Sequence, residues 1–334
     1  MPRALVLGGT GQVGLATARR LLAVGWDVDV TGRNPPRVDF GAARFVRSDR
    51  SDADGLRDAL GDGADLLVDN VCYTAAQAEL LLALLGSVGS TVMLSSKAVY
   101  VDAAGNHSNS DVGPCYDGPI RETQPTMAPG DMPYDSREGY GANKVAAEHV
   151  FLECGHPVTV IRPSKVHGAG TARPREWMFV KRALDRRPAV FLANRGEGTD
   201  HPTAAANIAA LVEVAAAKPG TRILNCADPD APTALEISRT VARLLGHERE
   251  EILLDGSAEG TLGRHAWDPP HPIVLDMTAA AELGYEPAGD YAATVTDEVT
   301  WLAESQPDWL DDDFFASLLD YEDENRWLAD RGTV

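Results

Sequence analysis

The sequence predicts an α/β fold in which a doubly wound parallel sheet comes first and a smaller C-terminal unit follows. Short apolar runs alternate with helical stretches through the first half, the rhythm of βαβ units. A glycine cluster, Gly8-Gly9-Thr10-Gly11-Gln12-Val13-Gly14, closes the first apolar run and opens a helix. Beyond Arg162 the alternation loosens into segments containing Gly, Pro and Arg, which marks a second unit.

Taken in order, residues 4–7 read as strand one. A helix follows over 12–24, with Val13, Ala16, Leu21 and Leu22 on one stripe and Gly25 where a C-cap glycine belongs. Residues 27–31, 44–46, 65–69, 91–94 and 158–161 read as strands two to six, with helices near 75–85 and 143–153. The stretch 101–139 is rich in Gly, Pro, Asp, Asn and Ser and long for a plain connection, so a functional loop is expected there. Residues 204–217 and 235–245 look helical, with a strand at 222–225 between them. At the end, 308–330 sets Trp309, Leu310, Phe314, Phe315, Leu318, Leu319, Tyr321, Trp327 and Leu328 among many acids. That pattern predicts an amphipathic helical tail docked on the body, in preference to a partner-binding motif. The expected division is a dinucleotide-binding domain over 1–165 plus about 203–228, and a substrate-binding domain over 166–202 and 229–334.

The 334 residues suffice for two packed units, and 44% hydrophobic with 24% charged residues excludes disordered and disulfide-scaffold classes. A net charge of −20 repels phosphate backbones and anionic lipid, so neither nucleic acid nor a membrane surface is expected as a partner. Cys72, Cys115, Cys154 and Cys226 lie far apart with no C-x-x-C pair, so no metal site and no disulfide framework are expected. There is no signal-like h-region and no run of ~18 apolar residues, so the expected location is cytoplasmic.

The glycine cluster has the spacing G-x-x-G-x-x-G in the strand-to-helix setting that a dinucleotide fingerprint requires. Gly8 and Gly11 let the backbone turn and approach a pyrophosphate, while the N–H groups of Gln12 and Val13 and the helix dipole face its charge. Gly14 permits close helix–strand packing, and Thr10 completes the turn. Strand two ends Val30-Thr31-Gly32-Arg33-Asn34, with no carboxylate to hold a ribose 2′-hydroxyl. Arg33, supported by Arg37, therefore favours NADP(H) over NAD(H), and Asp49 after strand three is expected at the adenine.

Tyr140-Gly141-Ala142-Asn143-Lys144 places a phenol and an ammonium at i and i+4, on one face of a helix. An adjacent cation favours the phenolate, so proton exchange with a carbonyl or alcohol becomes possible near neutral pH. Upstream, strand five ends Leu94-Ser95-Ser96-Lys97-Ala98. With the fingerprint, the serine strand end and Y-x-x-x-K in this order, the chain resembles the extended short-chain dehydrogenase/reductase superfamily, the NAD-dependent epimerase/dehydratase family. Ile161-Arg162-Pro163, Val166-His167-Gly168, Leu275-Asp276 and Leu283-Gly284-Tyr285-Glu286-Pro287 extend the resemblance over most of the chain.

The resemblance implies a Rossmann-type domain with a smaller substrate domain, closing a cleft over a small-molecule substrate. It implies Ser96 as the hydroxyl on the reacting oxygen and Tyr140 as general acid/base. Lys144 would hold the nicotinamide ribose and lower the tyrosine pKa, and a homodimer is the assembly often found in the family. The chain also departs from the family. Lys97 and Ala98 stand where sugar-nucleotide dehydratases carry Asp and Glu, which argues against water elimination. Asp69-Asn70-Val71-Cys72 replaces the usual His-x-Ala-Ala, and Lys165 replaces an Asn frequent in nucleotide-sugar enzymes. Lys97 and Lys165 raise the reading of an anionic or sugar-like substrate, against ordinary salt-bridged side chains. His167 is a further substrate-side candidate, although a packed histidine is the plainer reading; Asn207 is assigned a structural role.

The leading expectation is an NADP(H)-dependent oxidoreductase interconverting a ketone and a secondary alcohol. An epimerase with tightly held NAD(P) is the first alternative. A catalytically silent dinucleotide-binding scaffold is the second, disfavoured because Ser96, Tyr140 and Lys144 are all present.

Overall fold

The computed structural model describes residues 1–36, 38–306 and 313–331. The first half runs β1 (Arg3–Leu7), α1 (Gln12–Ala23), β2 (Asp27–Gly32), β3 (Arg44–Arg47), α2 (Ala53–Leu60), β4 (Ala64–Asp69), α3 (Ala75–Leu82), β5 (Val88–Leu94), α4 (Arg137–Leu152) and β6 (Val158–Pro163). After it come β7 (Lys165–His167), α5 (Trp177–Leu184), β8 (Ala189–Leu192), β9 (Pro202–Ala204), α6 (Ala205–Ala217), β10 (Arg222–Cys226), α7 (Ala234–Leu244) and β11 (Glu250–Leu253). The chain then continues through α8 (Thr278–Glu282), α9 (Tyr291–Thr294), α10 (Thr296–Ser305), α11 (Asp313–Ala316) and α12 (Tyr321–Arg331).

Seven strands form one sheet in the order β10-β6-β5-β4-β1-β2-β3, and every pairing is parallel. Parallel strands buried on both faces read as near-continuous apolar runs, and the alternation of side chains sends successive residues to opposite layers. Ala4 and Val6 of β1 pack with Val13, Ala18 and Leu21 of α1 and with Ile208 and Leu211 of α6. Leu5 and Leu7 pack with Leu56, Leu81, Ala147 and Phe151 on the other face. The strand order reverses between β1 and β4, so a crevice opens at their carboxyl ends, where α/β sheets bind ligands.

A separate core lies in the later chain, where Met178 and Val180 of α5, Ile237 and Val241 of α7, Trp267, Tyr291 and Leu302 cluster. The parallel pairs β8–β11 and β7–β9 belong to this half and its junction with the sheet. Arg182 and Arg187 both bond Glu324 of α12, and Trp327 packs on Phe191, which fixes the last helix to this core.

Several elements differ from the sequence reading. Helix α2 was not expected, because Asp52, Asp54 and Gly55 read as turn residues; Asp52 is its N-cap and accepts from the Asp54 N–H at 3.1 Å, while Leu56 and Leu60 are buried. Helix α4 begins at Arg137 rather than residue 143, capped by Ser136, whose hydroxyl accepts from the Gly139 N–H. The stretch 166–203 holds α5, β8 and β9 despite its irregular sequence. The expected helical tail consists of two helices, α11 and α12, with Phe315 and Leu318 docked in the later core. Trp309 and Leu310 lie outside the described residues, as does Arg37. Among the described residues no helix is long and apolar enough to cross a membrane.

Candidate active site

A cleft of about 840 Å³ opens at the carboxyl ends of β1, β4, β5 and β6. One end is backbone. Gly8, Gly11, Gln12, Val13 and Gly14 line it, whereas Thr10 lies beneath, against Gly32. Gly8 has φ +68°, a left-handed turn open to glycine, and a Cβ on Gly14 would sit 2.4 Å from the Gly9 Cα. Gly11 is the N-cap of α1 and supplies no side-chain cap, so first-turn N–H groups are left for a ligand. The Gln12 Oε1 is buried without a partner. This cradle fits the pyrophosphate of a dinucleotide, a negative group at a helix N-terminus.

Arg33 follows β2 and is exposed, its carbonyl accepting from Arg47 Nε at 2.9 Å. Arg47 is therefore a second guanidinium at this strand end, which sequence reading did not single out. Asp49 is exposed and bonded by Ser51 at 2.6 Å; that bond, with the Arg33 charge, holds its carboxyl below the usual range. After β4, Asn70 and Val71 line the cleft in place of the His-x-Ala-Ala segment, while Asp69 is buried in an ion pair with Arg50 at 2.6 Å.

The other end is made of side chains. Ser96 stands two residues beyond β5, and its Oγ accepts from the Ala98 N–H at 3.2 Å, which orients the hydroxyl. Tyr140 stands beside Ser96 in the same cleft, where the serine hydroxyl eases the ionisation of the phenol. Their meeting depends on Gly141: a Cβ there would lie 2.5 Å from the Ala98 carbonyl oxygen, so only glycine lets α4 come this close to the turn after β5. Ser95 is turned away, its hydroxyl donating to Glu148, which Arg162 also holds.

Lys144 is brought to the same cleft, but its ammonium donates to the carbonyls of Cys72 at 2.7 Å and Leu94 at 2.9 Å and lies 4.5 Å from the Tyr73 ring centre. Burial raises the Tyr73 phenol above its ordinary value, and the Lys144 charge opposes that. Burial pushes the Tyr140 phenol above its ordinary value, and the Ser96 hydroxyl and the Arg175 guanidinium oppose that. Arg175, ahead of α5, is a cation at Tyr140 that the sequence reading, which pointed to Lys144, did not single out. Tyr73 stacks on Tyr134 at 5.1 Å and stands 6.5 Å from Tyr140, an aromatic wall equally unexpected.

Lys97 and Lys165 both reach this end and converge on Asp200, a pairing no sequence spacing announces. Lys165 Nζ lies 2.9 Å from Asp200 and also donates to the Ala266 carbonyl. Burial, with the Arg175 charge, presses both ammonium groups well below the ordinary lysine value. His167 does not line the cleft. It is buried, bonded to Asp228 at 2.8 Å and set edge-on to Tyr291, so its substrate-side candidacy gives way to a packing role. Asn207 bonds the same Asp228 at 2.8 Å and braces residues 288–289. The long loop contributes Ser108 and Asn109, and the segment after β7 contributes Gly170 to Arg173.

Residues 4–199 match the family described as "NAD dependent epimerase/dehydratase family". The chain is 30% identical over 192 residues to the uncharacterised protein y4nG of Sinorhizobium fredii, a match covering 54% of this chain and 46% of that one. It therefore spans about half the length of that curated relative. Among solved structures, UDP-N-acetylglucosamine 4-epimerase from Bacillus cereus superposes with a TM-score of 0.68 at 18% identity, covering 91% of this chain and all of that one. The dTDP-glucose 4,6-dehydratase from Bacillus anthracis, in complex with NAD, does so with 0.68 at 15% identity, covering 92% and 98%. At these identities the likeness is one of fold. Glycine cradle, sheet order and matched residues together place this chain in the NAD-dependent epimerase/dehydratase family.

Proposed function

We propose that the protein is an NAD(P)-dependent oxidoreductase acting at a carbinol or ketone carbon, with Tyr140 as acid/base. The observation that carries this is that Ser96 and Tyr140 line one cleft with the glycine cradle. A nicotinamide dinucleotide held on Gly8, Gly11 and the α1 N-terminus, and by Lys144, would supply or take the hydride. Tyr140 gives the reacting oxygen a proton on reduction or removes it on oxidation. Ser96 donates a hydrogen bond to that oxygen, and its accepted bond from Ala98 N–H fixes the direction of that donation. Residues 1–165 with about 203–228 form the dinucleotide domain in this reading, and the remainder the substrate domain.

Two net outcomes share this geometry. Reduction driven by NADPH rests on Arg33, with Arg47 beside it and no carboxylate at the end of β2. Epimerisation, in which hydride leaves and returns to one carbon, is supported by neighbours named as 4-epimerases of sugar nucleotides. Mass spectrometry of nucleotide released from the denatured, purified protein separates them. Stoichiometric retained NAD(P) with no net cofactor turnover supports the epimerase. Nucleotide-free protein that consumes NADPH with keto substrates supports the reductase. Protein that neither retains nor binds a dinucleotide sinks both.

A further inference from the structure

We infer that the substrate is an acid: the pocket beside Tyr140 is an oxyanion receptor in which Lys97, Lys165 and Arg175 take a carboxylate borne near the reacting carbon. This rests on the hydride-transfer reading and names the substrate class for it.

The charge census of the cleft carries the argument. In a chain of net charge −20, the cleft is lined by Lys97, Lys144, Lys165, Arg173 and Arg175, against Asp200 alone among acidic residues described there. Three of the chain's five lysines stand in this one cavity. Lys144 is spent on two carbonyls, but Lys97 and Lys165 share a single buried carboxylate. No hydrogen bond or ion pair ties the Arg175 guanidinium among the described residues; Glu176 and Glu298 lie behind it, buried and outside the lining. Burial works against charge on both lysines, and among the described residues the only carboxylate lining the cleft beside them is Asp200, so an anion entering there would favour their charged forms and pair with them and with Arg175. Two further observations locate the anion. Lys97 directly follows Ser96, and the Arg175 charge acts on Tyr140, so the receptor adjoins the reacting oxygen rather than the far end of the cleft. A cluster kept only for folding would have no need to face open space.

Isothermal titration of the whole protein, with dinucleotide binding measured in parallel, tests this with D-glucuronate, D-glucose 6-phosphate, inorganic phosphate, malonate and neutral D-glucose at matched ionic strength. Glucuronate is expected to bind at least tenfold more tightly than glucose. Lys165→Met and Arg175→Met should each remove about tenfold or more of that preference, the scale of one charged hydrogen bond, without weakening dinucleotide binding. If Lys165→Met fails to fold by thermal unfolding, Arg175→Met, on the half-buried segment before α5, carries the test. Tight binding of the phosphates with weak glucuronate would keep the oxyanion receptor and overturn the carboxylate. No anion bound more tightly than glucose overturns the proposal outright. Loss of dinucleotide binding with anion binding intact would instead sink the hydride-transfer reading.

Discussion

The two ends of the cleft are built by different means. At the dinucleotide end, recognition is by backbone: Gly8, Gly11 and Gly14 fall within seven consecutive residues, and the ligand-facing groups are N–H groups of one strand–turn–helix unit. At the chemical end, recognition is by side chains drawn from β5, α4, β7 and the segments around 175 and 200. A backbone cradle is local and announces itself as a motif, whereas a side-chain receptor is assembled by topology. Each end should accordingly fail in its own way.

The largest effect is expected at Tyr140. Tyr140→Phe removes the proton donor and should lower kcat by about 10²- to 10⁴-fold, with the dissociation constant of the dinucleotide nearly unchanged. Stopped-flow turnover beside equilibrium binding checks the split, and equal losses in both would break the proposed separation of the two ends.

Gly141→Ala sharpens the comparison, because it touches neither ligand. Its Cβ would lie 2.5 Å from the Ala98 oxygen and must push α4 off the turn that carries Ser96. A displacement of about 1 Å costs on the order of 10²-fold in rate, so kcat should fall while dinucleotide affinity holds. Unchanged kcat would mean the Ser96–Tyr140 contact does not set the rate.

Arg33→Ala probes the dinucleotide end. Losing one charged contact should weaken NADPH about tenfold and leave NADH within a factor of two or so, as read by nicotinamide fluorescence. Equal weakening of both would deny Arg33 any role at a 2′-phosphate.

The smallest effect lies behind the receptor. Glu298 is fully buried, its carboxyl pushed well above the ordinary glutamate value by burial and by Glu176. The folded state therefore keeps a proton that the unfolded chain releases above pH about 4.5. Stability from this group is full below that pH and is lost as pH rises toward the folded value, with a slope of at most about 1.4 kcal/mol per pH unit. Glu298→Gln should flatten that part of the curve in denaturant titrations across pH; an unaltered slope would show Glu298 ionised in the fold.

The same contrast explains what could be read from the sequence. The βαβ rhythm, the glycine cradle and Tyr140 with Lys144 were legible because each is written in neighbouring residues or one helical turn. Helix α2 was hidden because its capping Asp52 and Gly55 resemble a loop, and the start of α4 because Gly139 and Gly141 look like helix breakers. In α4 the glycine at 141 is required by close approach, a tertiary demand invisible to propensity. Arg175 and Asp200 escaped notice because their significance arises only when they meet Lys97, Lys165 and Tyr140. His167 misled for the converse reason: its place in the chain adjoins the site, yet β7 turns its ring to Asp228.

The most direct test of the account is a pair of dissociation constants, for NADPH and NADH, measured by nicotinamide fluorescence on wild-type protein freed of retained nucleotide and on Gly14→Val. The account predicts that the wild type binds at least one of them, and that the variant binds neither while its circular dichroism shows the fold intact. A folded wild type that binds neither, or a Gly14→Val protein that binds as the wild type does, would contradict it.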